Sequence, residues 1–147
     1  MALLGNKKTR FKYEILETFE AGIELLGFEV KSLRAKRGSL EGAYVIVRGG
    51  ETFLIGADIP AYQPKNAPKD YDSRRNRRLL LTRKEIDSLA GFESRKGLTI
   101  VPLSVYSKGK KIKISVGVGK GKKKYDKRET IKKLESEREV RRSLKYK

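Results

Sequence analysis

Between positions 111 and 118, Ile112, Ile114, Val116 and Val118 alternate with Lys111, Lys113, Ser115 and Gly117. A period of two puts the apolar set on one face of a strand and the cationic set on the other. The run 98–106 is also strand-like, and Ser107-Lys108-Gly109-Lys110 between the two predicts a hairpin. Runs 43–47 and 52–55 predict another, joined at Gly49-Gly50, since glycine takes the positive φ of a primed turn. A third is predicted nearer the N-terminus, where Phe11, Tyr13 and Ile15 alternate with Lys12 and Glu14. There Glu20-Ala21-Gly22 reads as the turn, and Ile23, Leu25 and 28–30 as the returning strand.

Two helical pieces interrupt this pattern. Thr82 with Glu85 has capping-box spacing, and Ile86, Leu89 and Ala90 follow at i, i+3, i+4, so a helix is predicted over 83–95, ending near Gly97. Residues 30–35 read as a short helical turn that Gly38 and Ser39 help the chain to leave. Segment 59–78 holds Pro60, Pro64 and Pro68 before Arg74-Arg75-Asn76-Arg77-Arg78, which reads as an extended loop with a cationic end. About six short strands with an inserted helix predict a mainly β chain. The expected form is a small antiparallel barrel of the oligonucleotide-binding type, with an open sandwich as the alternative. Tyr106, Lys111 and Lys113 would lie on its outer face, either as an RNA platform or as an ordinary solvated strand face.

Charge divides the chain in two. Residues 120–147 hold thirteen Lys or Arg against five Asp or Glu, and so carry +8 of a net +18. Their apolar residues form no stripe: Ile131 and Leu134 fall on one side of a helix and Val140 and Leu144 on another. The expected organisation is therefore a barrel body over 1–119 and a flexible basic tail over 120–147, disordered when free and helical once phosphates neutralise it. Tyr125 within that Lys-rich run offers a stacking face to a base. So large a positive charge favours nucleic acid as the partner, with anionic membrane as the rival. No apolar run approaches the ~20 residues that cross a bilayer, and the first five residues are too short for a signal peptide, so the chain is expected in the cytoplasm. With neither Cys nor His, zinc ribbons, disulfides, cysteine nucleophiles and histidine triads are excluded. Residues 117–121 lack both the phosphate-loop and the dinucleotide-loop spacing. A binding protein without cofactor or metal is expected, not an enzyme.

Five co-linear strings are less generic. They are Asn6-Lys7-Lys8, Phe19-Glu20-Ala21-Gly22-Ile23, the run from Gly27 to Ala35, Arg78-Leu79-Leu80-Leu81, and the run from Gly119 to Glu129. Together they resemble the SsrA-binding proteins, the small protein B family of bacterial trans-translation, over nearly the whole chain and with matching gaps. The segment Lys36-Arg37-Gly38-Ser39-Leu40-Glu41-Gly42-Ala43 departs from the family pattern.

The resemblance implies an oligonucleotide-binding-type barrel that grips the tRNA-like domain of transfer-messenger RNA. It also implies a tail that enters the vacant mRNA channel of a stalled ribosome and folds there, near the small-subunit decoding centre. Elongation factor Tu and alanyl-tRNA synthetase would join through the RNA, and the protein would act as a monomer away from membranes. On this resemblance Asn6, Tyr13, Glu20, Leu80 and Lys113 match the RNA-binding face, with Glu29, Lys31 and Arg34 in the same motif region. Lys120, Gly121, Lys122, Lys123, Asp126, Lys127 and Arg128 match the segment that leads the tail in, and Tyr125 the residue that stacks in the decoding centre. Leu80 is open between an RNA contact and a core position on sequence alone. A generic single-strand or ribosomal RNA-binding module is the alternative function.

Overall fold

The computed structural model describes residues 2–63, 65 and 67–121. Its elements run β1 (Ala2–Gly5), α1 (Lys7–Lys12), β2 (Tyr13–Ile23), α2 (Gly27–Arg34), β3 (Tyr44–Arg48), β4 (Glu51–Ile55), β5 (Arg77–Leu80), α3 (Arg83–Glu93), β6 (Leu98–Lys108) and β7 (Lys111–Gly121). The strands lie side by side in the order β6-β3-β4-β5-β2-β7, and β7 returns to pair with β6. Six strands thus close a ring, and β1 pairs with the second half of β6 through Ser104 to Tyr106. The expected oligonucleotide-binding-like fold is observed in a ring-like form that is not a regular barrel. Two seams are short: β3 meets β6 only at Val45–Ile100, and β2 meets β5 only at Gly22–Leu80 and Ile23–Leu79.

The core is the inside of this ring. Ile112, Ile114, Val116 and Val118 of β7 are buried, as their alternation predicted, and Leu33 of α2 and Leu89 of α3 join them from outside the sheet. The two predicted hairpins at 43–55 and 98–118 are present. Gly49 and Gly50 turn the first with φ of 59° and 75°, and Gly109 at φ 63° turns the second. Helix α3 begins at the Thr82–Glu85 capping box and stops at Glu93, two residues before the predicted end.

The N-terminal hairpin is not formed. Strand β2 runs unbroken through Glu20-Ala21-Gly22, and Gly22 serves a close approach instead of a turn: a Cβ there would lie 3.2 Å from the Leu80 Cβ. Residues 28–30 begin helix α2, which starts three residues earlier than the predicted turn because the Glu29 carboxylate accepts the Leu26 N–H at 2.7 Å and caps it. Phe11 and Lys12 close helix α1 and do not open a strand. Among the described residues, seven strands and three helices stand where about six strands and two helical pieces were expected. The cationic loop end is corrected too, since Arg77 and Arg78 are strand residues and Arg77 is fully buried. Strand β7 carries the ring through Lys120 and Gly121, two residues past the expected start of the tail, while the expectations for 122–147 lie outside the described residues. Among the described residues, no helix is long and apolar enough to cross a membrane.

Candidate nucleic-acid interface

Four strands in register build one surface row. Leu80 of β5 pairs with Gly22 of β2, Gly22 with Lys113 of β7, and Lys113 with Tyr106 of β6. Residues paired across strands share a face, so the four lie side by side on the outside of the ring. Gly22 contributes no side chain, and Leu80 lies 48 % exposed beside it, which places Leu80 at the surface while Leu79 takes the core position. Glu20, two residues along β2 from Gly22, is on the same face.

Glu20 is held from a distance. The Tyr106 hydroxyl donates to Glu20 Oε2, and Lys108 Nζ donates to Oε1 at 3.1 Å. These bonds, Tyr106 first, hold the Glu20 carboxyl below its usual range, with the Lys113 charge adding to the effect. Burial and the same bond push Tyr106 up to about 12. Glu20 is therefore an ionised, acceptor-only group, suited to base amino or imino hydrogens or to a ribose 2′-OH. Beside it stand the Lys113 ammonium, able to pair with an anion, and the exposed apolar side chain of Leu80. Sequence reasoning placed Tyr106 on this face and missed it as the partner of Glu20, because the bond reaches diagonally over β7.

Helix α2 extends the cationic surface. Lys31 and Arg34 are exposed, and Arg34 Nη2 donates to the Lys110 carbonyl at 2.9 Å, tying the helix to the β6–β7 turn near Lys113. Glu29 belongs elsewhere. It is fully buried and receives Arg75 Nε at 3.1 Å, Arg77 Nε at 3.0 Å and the Tyr71 hydroxyl at 2.7 Å. Burial raises its carboxyl, but the bonds from Arg75, the Leu26 N–H, Tyr71 and Arg77 outweigh it and bring Glu29 down to about 2. Burial and Glu29 in turn push Tyr71 up to about 12. Arg77 also donates to the Ala57 and Ser73 carbonyls, both at 2.9 Å, so the cluster fastens the loop before β5 onto α2. Glu29 is thus a scaffold group with no surface to offer RNA, and Tyr71, Arg75 and Arg77 are its unforeseen partners.

Asn6 and Tyr13 stand at the other end of the ring. Seven residue steps along β2 separate Tyr13 from Glu20, roughly 23 Å at ~3.3 Å per step. Asn6 Nδ2 donates to the Pro102 carbonyl at 2.9 Å and to that of Leu40 at 3.4 Å, which fixes the start of α1. Tyr13 pairs with Gly121 and covers Gly119, where a Cβ would lie 2.8 Å from its own. Lys120 is exposed opposite Glu14. The structure thus brings together Glu20, Leu80 and Lys113, and sets Asn6, Tyr13, Lys120 and Gly121 apart from them. Lys122, Lys123, Tyr125, Asp126, Lys127 and Arg128 lie outside the described residues.

A two-ended basic body of this shape has relatives. The family model described as SmpB protein matches residues 3–146. The chain belongs to the SmpB protein family. It is 50% identical over 143 residues to the SsrA-binding protein of Gloeothece citriformis (strain PCC 7424), covering 97% of this chain and 92% of the relative. It is 49% identical over 144 residues to that of Ligilactobacillus salivarius (strain UCC118), covering 98% and 92%. Among solved structures, a chain from "tmRNA-SmpB: a journey to the center of the bacterial ribosome" superposes with a TM-score of 0.70 at 42% identity, over 84% of this chain and 87% of that one. The family's likeness therefore spans the described body and runs on into the basic segment beyond Gly121.

Proposed function

We propose that this protein binds transfer-messenger RNA through its tRNA-like domain and delivers it to stalled ribosomes for trans-translation. The observation that carries the reading is the convergence of Glu20, Leu80 and Lys113 on one end of the ring, an acceptor, an apolar contact and a cation within one row of strands. Phosphate contacts position an RNA and the acceptor and apolar groups select it, so this row is built for recognition and not only for charge. Family membership supports the partner, as do the SsrA-binding relatives and the tmRNA–SmpB neighbour. Lys31 and Arg34 add phosphate anchors beside the row.

The basic segment leaves from Gly121, at the opposite end, and carries Lys122, Lys123, Tyr125, Asp126, Lys127 and Arg128. In this reading it enters the empty mRNA channel, and Tyr125 stacks in the decoding centre. The protein works by binding, in the cytoplasm, as a monomer, and elongation factor Tu and alanyl-tRNA synthetase meet it through the RNA. A chain ending at Gly121 tests the division of labour. It is expected to melt like the full chain and to keep most of its affinity for the tRNA-like domain, yet to support no tagging on stalled ribosomes. Loss of RNA binding by orders of magnitude, or normal tagging, would overturn it.

A further inference from the structure

At the end of the ring where β2 begins and β7 stops, a cleft of ≈ 170 Å³ opens between α1 and β3. Its walls include Asn6, Lys8, Lys12, Tyr13, Glu41 and Tyr44. Sites for drug-sized ligands run to about 300–1,000 Å³, so this one suits a single flat ring system. Two of its walls are aromatic. The Tyr13 ring is seated against the backbone of Gly119, where any Cβ would lie 3.0 Å from its Cγ and 3.1 Å from its Cδ1, so its position is set before a ligand arrives. The Tyr44 side chain, by contrast, is 43 % exposed on its strand.

The polar groups have a consistent sense. Both donors of the Asn6 amide are committed to the Pro102 and Leu40 carbonyls, which leaves its oxygen as an acceptor. Glu41 is paired with Lys8, and its carboxyl is held below the usual range by that bond first and by the Lys8 and Lys12 charges after it. Two acceptors, two tyrosines and two lysines thus line one cleft. An exocyclic amino group meets the acceptors, a base plane meets the tyrosines, and a phosphate meets Lys12.

We propose that this cleft holds one unstacked nucleobase bearing an exocyclic amino group, with its phosphate on Lys12, as a second RNA contact remote from the Glu20 row. The inference rests on the RNA-binding reading above and adds a base site to it.

The test is an amide-resolved NMR titration of the full-length protein with adenosine monophosphate and with uridine monophosphate. Adenosine monophosphate is expected to move the amides of Thr9, Gly42, Tyr44 and Thr99 and to bind more tightly than uridine monophosphate. Tyr44→Ala is expected to weaken it about 5- to 150-fold and Tyr44→Phe to leave it nearly unchanged, with equal melting temperatures. Cleft amides that stay still, or that move alike in Tyr44→Ala, would overturn the site; equal affinity for the two nucleotides would overturn the amino-group preference. Glu20→Ala separates the two readings, since it should spare nucleotide binding and weaken the tRNA-like RNA. If it spares both, the earlier reading fails and the cleft stands. The source of the base follows from the affinity of Tyr44→Ala for the tRNA-like domain and for small ribosomal subunits. A loss of about 5-fold or more with one of them identifies the donor, and a loss with neither removes the cleft from RNA binding.

Discussion

Tyr106 reaches Glu20 over an intervening strand, β7, and that one hydroxyl does more than any other group to keep the Glu20 carboxyl below its usual range. A lowered carboxyl stays ionised to a lower pH than an unperturbed Glu does. In Tyr106→Phe the Glu20 carboxyl should move back up and protonate at higher pH. Affinity for the tRNA-like domain, measured from neutral pH downward, is expected to fall at higher pH in Tyr106→Phe than in the parent chain, with the Glu20 carboxyl ¹³C shift reporting the same displacement. Coincident pH profiles would deny Tyr106 its positioning role.

Lys113 and Glu20 are neighbours with opposite duties. If Lys113 meets a phosphate, Lys113→Ala weakens binding and also flattens the dependence of log K on log salt by roughly 0.7–0.9, the contribution of one neutralised phosphate. Glu20→Ala should weaken binding and leave the slope unchanged or steeper, because no cation is lost. Affinities across a salt series, with both variants in parallel, separate the two. Equal flattening in the two would mean that Glu20 acts only by holding lysines in place.

The hairpins at Gly49-Gly50 and Gly109 were legible because turn and strand signals are local, and the alternation of Ile112 to Val118 named the core face outright. Gly22 misled for a physical reason. A glycine can serve a positive φ or a close approach, and only the pairing of Gly22 with Leu80, nearly sixty residues away, shows which it is. That same non-local pairing settles Leu80 at the surface. The run from Arg74 to Arg78 looked like a solvated cationic loop because nothing in its spacing reveals Glu29 as the buried counter-charge. Convergence of Glu20, Leu80 and Lys113 likewise depends on the lateral order β5-β2-β7, which sequence patterning does not encode.

The Glu29 cluster carries an acid-stability consequence. A carboxyl brought down to about 2 contributes stability that is present above its unfolded value near 4.5 and is lost as pH falls toward 2. Melts are therefore expected to weaken through that window. In Glu29→Gln the loss from this group disappears, at a cost of about 3–5 kcal/mol at neutral pH, because Arg77 is left buried without its counter-charge. Denaturant titrations at neutral pH and near pH 3 measure both effects. A neutral-pH cost below about 1 kcal/mol would place the cluster outside the scaffold's main supports.

Tyr13 and Gly119 give the sharpest test of the opposite end. A Cβ at position 119 would sit 2.8 Å from the Tyr13 Cβ, an atom the backbone fixes and no rotamer change can move, and 3.0 Å from its Cγ. Gly119→Ala is expected to cost about 1–3 kcal/mol by overpacking. Gly121→Ala, two residues on, meets nothing within 4 Å and should be silent or slightly stabilising. Pairing Gly119→Ala with Tyr13→Gly removes the opposing Cβ and the ring together, so the cycle should return a coupling of about 0.5–3 kcal/mol in favour of the double variant. Denaturant melts of the four proteins in that cycle, with Gly121→Ala as the control, decide the matter. A Gly119→Ala protein as stable as Gly121→Ala would mean that the Tyr13 ring is not seated on β7, and the aromatic wall at that end of the ring would lose its fixed partner.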